Sequence, residues 1–138
     1  MIVFSGKSIS LLFGQSLNTG QAMDRGWLGA ASQGEGAPIP SQIADQLRGR
    51  EFRNFRAFRE AFWKAVANDF ELAKQFSSVN LARMKLKGYS PYAAPSEQVG
   101  GQMKFEIHHV IFLKNDGGVF DVDNMRVVTP KEHVELHK

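Results

Sequence analysis

All the histidines of this 138-residue chain lie in its last quarter, namely His108, His109, His133 and His137. Imidazole is the side chain best suited to moving protons near neutral pH, and it is a common ligand of transition metals. The chain contains no cysteine, so disulfides and thiolate metal sites are excluded. A fold for this chain must therefore bring its C-terminal segment together around one histidine-rich site.

The end of the chain carries clear helix signals. Thr129 suits the N-cap, Pro130 suits the first helical position, and Glu132 completes a capping-box pattern with Thr129. We therefore predict a helix that begins at Pro130. His133 and His137 then lie one turn apart on one face, a spacing that lets two imidazoles bind one ion. Taken alone, the pair is also compatible with two exposed histidines at a helix end.

The segment before the first histidines has the alternation of a strand. Met103 to Ile107 alternates polar and apolar residues, so His108 and His109 are expected to point to opposite faces. One imidazole can then join a metal site while its neighbour faces a substrate. Asn115 to Gly118 is a turn signal, and Val119 to Val122 resumes the alternation. In order, these elements predict a ββα unit around a metal.

Three helices are predicted in the middle of the chain: Gln42 to Arg48 with Ser41 as N-cap, a longer helix after Asn54, and Asp69 to Phe76. The longer helix has an apolar stripe that predicts core packing rather than base stacking, formed by Phe55, Phe58, Phe62 and Val66. Residues 77–101 are expected to be mostly loop. Residues 1–40 are rich in turn formers and are expected to form an arm lying on the domain, with Trp27 as a packing anchor.

The charge of the chain is concentrated in its middle. The net charge is +3, and more than half of the 17 lysines and arginines fall within residues 46–87, together with few acids. Such a surface favours a polyanion, although it is also the ordinary solvated face of many helices. The apolar start of the chain is interrupted by Ser, Gly and Lys7. We therefore predict no signal segment and no membrane anchor.

Two sets of residues resemble a known family. The set His109, Asn124 and His133, with His108 before it and His137 after it, resembles the HNH (ββα-metal) nuclease motif. Upstream, the segments GAPIPSQIADQLRGREFRNFRAFREAFWKAV, KGYSPY and QVGG resemble the cytotoxic DNase domain of nuclease bacteriocins, the E-group colicins and S-type pyocins. The likeness runs from about residue 27 to residue 138.

This resemblance implies a single α+β domain with a mainly helical middle and a C-terminal ββα-metal motif. Its parts would be an arm (1–40), a helical region with a partner-binding loop (41–101) and the metal motif (102–138). The implied activity is metal-dependent DNA endonuclease with little sequence specificity. Catalytic roles would fall to His109 as general base, to Asn124 as a brace of the loop that orients the base, and to Glu106. Whether Glu106 orients a ligand or a basic group stays open.

The resemblance also implies a cofactor and partners. One divalent ion, zinc, nickel or magnesium, would be held by His108, His133 and His137. DNA would contact cationic side chains, for which the candidates are Arg53, Arg56, Arg59, Lys104 and Arg126. A small acidic immunity protein would bind a basic and aromatic surface formed by Arg83, Lys85, Lys87, Tyr89 and Tyr92. The chain would be part of a larger secreted bacteriocin and would act in the cytoplasm of a target bacterium.

The chain departs from the family pattern at three points. Gln102 stands where the family has an arginine, the first 24 residues contain only Lys7 as a cation, and Val110 replaces an acid. The first two changes remove phosphate contacts, for which Lys104 or Arg126 can substitute. They keep two alternatives open: a non-catalytic, metal-stabilised module that binds DNA or protein, and a cellular HNH endonuclease.

Overall fold

The computed structural model of the chain describes residues 2–3, 26–109 and 124–138. The predicted turn at 115–118, the predicted strand Val119 to Val122 and Val110 lie outside these ranges. Among the described residues, no helix combines the length and apolarity needed to cross a lipid bilayer.

Five α-helices and five short strands are formed within the described ranges. The helices are α1 (Ser41–Leu47), α2 (Phe55–Asn68), α3 (Phe70–Ala73), α4 (Ser78–Lys87) and α5 (Pro130–Leu136). The strands are β1 (Ile2–Val3), β2 (Ala37–Pro38), β3 (Glu51–Phe52), β4 (Glu106–His109) and β5 (Met125–Val128). Short 3-10 turns cover Trp27–Ser32 and Pro95–Glu97. This mixture of helices with a small antiparallel sheet confirms the predicted α+β class.

Helix α2 is the centre of the core. It begins after Asn54, as predicted, and the Asn54 side chain caps it by accepting a hydrogen bond from the Ala57 N–H. Phe58, Phe62 and Trp63 are buried on the inner face of the helix. Full burial of one such aromatic side chain stabilises the fold by about 3 kcal/mol or less, so this stripe is a major source of stability.

The sheet that carries the functional segment has the order β2-β5-β4 and is antiparallel. Strand β4 pairs with β5 in a register that sets His108 opposite Arg126 and His109 opposite Met125. The sequence predicted a strand at Met103 to Ile107, before the two histidines. In the structure this strand, β4, begins at Glu106 and contains both histidines. Strand β5, which precedes helix α5, was not predicted.

Helix α4 corrects the expectation that residues 77–101 are mostly loop. Ser77 caps it by accepting from the Asn80 N–H, and Gly88 ends it in the left-handed conformation. Met84 is its only fully buried residue in this structure, whereas Val79 and Leu86 are exposed. The apolar face of the helix is therefore too narrow to give a clear periodic signal in the sequence.

Other predicted boundaries also change. Helix α1 begins at Ser41, with Pro40 rather than Ser41 at the N-cap, and α3 covers only part of the predicted Asp69 to Phe76. Residues 26–40, assigned to an arm, instead contribute several side chains to the core. Among them Trp27 is buried, and its indole N–H donates to the Pro38 carbonyl. Trp27 is thus the packing anchor that the sequence predicted.

Gly88 gives a test of how α4 is attached to α2. Its φ is +70°, and a Cβ there would lie 2.6 Å from the carbonyl oxygen of Glu60 and 2.8 Å from its Cα. We expect Gly88→Ala to lower the free energy of unfolding by about 3 kcal/mol, because backbone strain and steric overlap act together. Urea denaturation measures this change.

Gly49→Ala is the matched control. Gly49 also has positive φ, +82°, but a Cβ there meets nothing within 4 Å. Only backbone strain should remain, about 1 kcal/mol. If the two variants lose equal stability, steric overlap with Glu60 does not contribute to the destabilisation caused by Gly88→Ala.

Candidate active site

Strand β4 separates the two adjacent histidines. Successive side chains of a strand point to opposite faces. His108 is buried, with 5% of its surface exposed, while the half-buried imidazole of His109 packs on the Phe55 ring with 5.6 Å between ring centroids. The expected division between two faces of one strand is therefore present.

Helix α5 and its C-cap residue, His137, bring two further imidazoles to His108. Thr129 caps the helix by accepting from the Glu132 N–H, as predicted. The rings of His133 and His137 have centroids 4.8 Å apart, and each centroid lies 5.3 Å from that of His108. One ring nitrogen from each of the three residues lies within 4.8 Å of the other two. The helix and the strand thus converge on one point.

The chemistry of this cluster fits a divalent metal. The Nδ1 atom of His108 is buried and has no hydrogen-bond partner among the described residues, which is costly unless a ligand satisfies it. Burial, followed by the neighbouring imidazoles His133 and His137, lowers the pKa of His108 to about 4. The ring is therefore neutral near pH 7, the form that binds metals.

Glu106 occupies the same face of the strand as His108 and contacts helix α5. Its Oε1 lies 2.7 Å from Nδ1 of His133. When the Nδ1–H donates to this carboxylate, Nε2 of His133 is left for a ligand, an arrangement typical of metal-binding histidines. Of the two uses of Glu106 left open by the sequence, this geometry is that of a group orienting a ligand.

Asn124 lies immediately before β5. It is 6% exposed, and it precedes Met125, the residue paired with His109 across the sheet. Asn124 is therefore at the same end of the β4–β5 pair as His109.

An open cleft of about 1130 Å³ adjoins the imidazole cluster. Helix α2 contributes Phe55, Arg56 and Arg59 to its wall, and helix α5 contributes His133 together with its C-cap residue, His137. The cleft is open to solvent, so the imidazoles at its wall are accessible from outside.

The five candidate DNA contacts are placed differently. Arg56, Arg59 and Lys104 line the cleft, whereas Arg53 and Arg126 lie outside its lining. Arg126 is half-buried on β5 and donates to the Met125 carbonyl at 2.8 Å. Gln102, in the position of the family's arginine, also lines the cleft but brings no charge.

The predicted partner surface is partly exposed. Tyr89 and Tyr92 are 40% and 38% exposed, so neither is a core plug. The Arg83 guanidinium lies 5.1 Å and 4.9 Å from their ring centroids, and the Lys104 ammonium lies 5.2 Å and 5.7 Å from them. Lys85 and Lys87 are exposed in the last turn of α4. Lys104, which was predicted as a DNA contact, thus also contacts Tyr89 and Tyr92.

Phe55 is the residue at this site whose position the sequence did not reveal. The apolar stripe assigned it to the core, but it is half-buried, lines the cleft and contacts His109. The only hint in the sequence is that Phe55 is the first residue of the helix, directly after the N-cap, so it lies at the end of the apolar stripe.

The fold and the imidazole cluster define a ββα-type histidine site beside a basic helical layer. Residues 14–138 match the family described as the DNase domain of colicin and pyocin S2. The chain therefore belongs to the colicin/pyocin DNase-domain family, as the resemblance implied, and the predicted class of enzyme, a nuclease, is that of the family.

Individual relatives agree with this assignment. Pyocin-S1 of Pseudomonas aeruginosa is 57% identical over 125 residues, covering 91% of this chain and 20% of the pyocin. Colicin-E2 of Escherichia coli is 44% identical over 91% of this chain and 21% of the colicin. The chain thus spans about a fifth of the length of these relatives.

Two solved structures have the same fold. The DNase of the pyocin AP41 DNase–immunity complex superposes with a TM-score of 0.84 at 45% identity, covering 98% of this chain and 95% of that one. The mutant nuclease domain of pyocin S8, solved with its cognate immunity protein, gives 0.83 at 49% identity and covers 96% of both chains.

The imidazole cluster predicts stabilisation by metal. We expect zinc or nickel at about 100 times its dissociation constant to stabilise the domain by about 2.7 kcal/mol and to raise its Tm. His137→Ala should remove most of that rise because it deletes one of three converging nitrogens. Differential scanning calorimetry with and without metal measures both effects.

His109→Ala is the control for this experiment, since its imidazole lies on the opposite face of β4 from the cluster. It should retain the full metal-dependent rise in Tm. A parent domain whose Tm does not respond to metal would contradict a metal site at these residues.

Proposed function

We propose that this domain is a metal-dependent DNA endonuclease that hydrolyses phosphodiester bonds with little sequence specificity. The observation that carries the proposal is the convergence of His108, His133 and His137 beside a cleft whose wall includes cationic residues of α2. Three protein ligands leave coordination positions for water and substrate, as a catalytic site requires. Because imidazole ligands carry no charge, a divalent ion bound by them would keep its positive charge, which suits a polyanionic substrate.

The roles of the side chains follow from the chemistry of the reaction. Phosphodiester hydrolysis requires an activated water and stabilisation of the charge that develops on phosphate and leaving oxygen. His109 accepts the proton of the attacking water as general base. Glu106 fixes the ring orientation of His133 through the contact at Nδ1. Asn124 braces the end of the hairpin next to the base.

His108, His133 and His137 would hold one divalent ion. When bound, such an ion neutralises the scissile phosphate and the departing oxygen as a Lewis acid. Imidazole ligands favour zinc or nickel, whereas magnesium prefers oxygen ligands. The supporting fact in this structure is the buried Nδ1 of His108, which has no hydrogen-bond partner among the described residues.

DNA would approach along the outer side of α2. Arg56 and Arg59 are exposed on α2, and Arg53 is exposed just before it. Lys104 also lines the cleft, and Arg126 is paired with His108 across the sheet. Arg56 pairs with Glu60 at 3.4 Å, but an exposed pair of this kind is weak, and phosphate can replace the carboxylate. Contacts of this type position the backbone and carry no sequence information, which accounts for the low specificity proposed.

The second proposed partner is a small acidic immunity protein, as in the DNase–immunity complexes of the two similar structures. Tyr89 and Tyr92 supply rigid aromatic area stacked under Arg83. Lys85 and Lys87 supply exposed charge that accelerates encounter with an acidic surface. We also propose that the domain is the toxic part of a larger secreted bacteriocin and acts in the cytoplasm of a target bacterium.

Plasmid cleavage by the purified domain tests the activity. We expect the parent to cut with zinc, nickel or magnesium, and to be inactive in chelator. His109→Ala should lower the rate by at least about a hundredfold, since general-base catalysis contributes roughly 10²- to 10⁴-fold. Its metal-dependent rise in Tm should match the parent.

Two results would contradict the assignment. A parent domain that binds metal but never cuts DNA would be the non-catalytic metal-stabilised module instead. A His109→Ala variant that cuts at the parent rate would remove His109 as the base while leaving nuclease activity intact.

The immunity partner is tested at Tyr92. We expect Tyr92→Ala to weaken binding of the immunity protein encoded beside this gene by at least about 2 kcal/mol, roughly thirtyfold, because buried aromatic anchors dominate such interfaces. Calorimetric titration measures the affinity, and DNA cleavage by the free variant should persist.

Phe70→Ala is the matched control, since Phe70 is an exposed aromatic residue on α3, 78% exposed. It should leave affinity unchanged. An unchanged affinity for Tyr92→Ala, or a loss explained by unfolding in a melting curve, would exclude Tyr92 from the interface.

A further inference from the structure

Phe55 differs from the other aromatic residues of helix α2. Phe58 and Phe62 are 1% and 0% exposed, whereas Phe55, the first residue of the helix, is only half-buried. Its ring rests on Phe58 with 5.4 Å between centroids, and it also lines the cleft beside the imidazole cluster. The ring is thus supported by the core on one side and reaches the site on the other.

Two functional side chains contact this ring. The imidazole of His109 has its centroid 5.6 Å from that of Phe55, with the ring planes inclined by 46°. The guanidinium carbon of Arg59 lies 5.7 Å from the same centroid. Both distances are within the range of attractive aromatic and cation–π contacts. Phe55 therefore connects the strand that carries the proposed base with the helix that carries the proposed DNA contacts.

We propose that Phe55 is a positioning residue for the reaction, which holds the imidazole of His109 in its reactive orientation. The proposal rests on the proposed role of His109 as general base. His109 is half-buried, so burial alone does not restrict its ring. A fixed apolar surface against one side of the imidazole limits its rotation, and Asn54 fixes that surface by capping the helix at the preceding residue.

The energetic reason is the sensitivity of proton transfer to geometry. A general base must lie within hydrogen-bond reach of the water that it deprotonates. Displacement of a reacting group by about 1 Å can cost about a hundredfold in rate. Loss of the Phe55 ring should thus lower kcat. The three converging imidazoles are positioned by β4 and by the C-terminal helix, so they should still bind metal normally.

Two other roles for Phe55 predict different results. If Phe55 acts by orienting Arg59, its loss should raise KM and leave kcat unchanged, because the contact with DNA is made equally in ground and transition states. If Phe55 only contributes to the core, its loss should lower stability, and any loss of activity should follow the fraction unfolded.

Steady-state cleavage of a duplex oligonucleotide at several concentrations distinguishes these roles. We expect Phe55→Leu, which keeps apolar volume but removes the ring, to lower kcat by about tenfold to a hundredfold with KM changed by less than about twofold. Phe55→Tyr should restore kcat to near the parent value because it restores the ring. Nickel affinity, measured by calorimetry, should equal that of the parent in both variants.

Phe76→Leu is the matched control, because Phe76 is also half-buried but lies outside the cleft lining. It should leave kcat unchanged. A double variant, Phe55→Leu with His109→Ala, should be no slower than His109→Ala alone, since residues that act as one unit are non-additive.

The outcomes separate this inference from the proposed function. The role of Phe55 would be overturned by any of three results: parent kcat for Phe55→Leu, an effect of that variant on KM alone, or a failure of Phe55→Tyr to restore the rate. Each of these leaves the proposed base standing as long as His109→Ala shows its expected loss of rate. Full activity of His109→Ala in the same assay would instead overturn the proposed base itself.

Discussion

The site depends on the pairing register between β4 and β5. His108 and His109 are adjacent, so they occupy opposite faces of β4, and the pairing of His108 with Arg126 determines which face each one takes. A slip by one residue would exchange the two imidazoles. The register is held by β5, whose side chains Met125 and Val127 are fully buried. Packing of apolar residues thus decides which histidine joins the cluster and which faces Phe55.

Helix α5 depends on contacts with the rest of the domain, because a helix of seven residues is unstable by itself. Its N-terminus is held by Thr129, which makes three hydrogen bonds besides the bond that its carbonyl accepts from the His133 N–H. The Thr129 N–H donates to the Ala31 carbonyl, and its hydroxyl oxygen accepts from the Glu132 N–H while donating to Glu97 at 2.8 Å. Three distant parts of the chain therefore meet at this residue. Their contacts orient the helix so that His133 and His137 face β4.

The parts of this structure that the sequence could predict are those governed by local signals. The start of α2 after Asn54, the cap at Thr129 and the spacing of His133 and His137 depend only on neighbouring residues, and the structure has them as expected. Helix α4 was missed because only Met84 on it is fully buried. The positions of Glu106 beside His133 and of Phe55 beside His109 depend on long-range packing, which no local pattern records.

Lys104 links the two proposed binding surfaces. Its ammonium lies over the rings of Tyr89 and Tyr92, and the same side chain lines the cleft that leads to the imidazole cluster. An acidic protein bound to the tyrosines would neutralise this cation and place negative charge at the edge of the cleft. Because DNA binding depends on neutralising phosphates, such a partner would oppose DNA without touching a histidine.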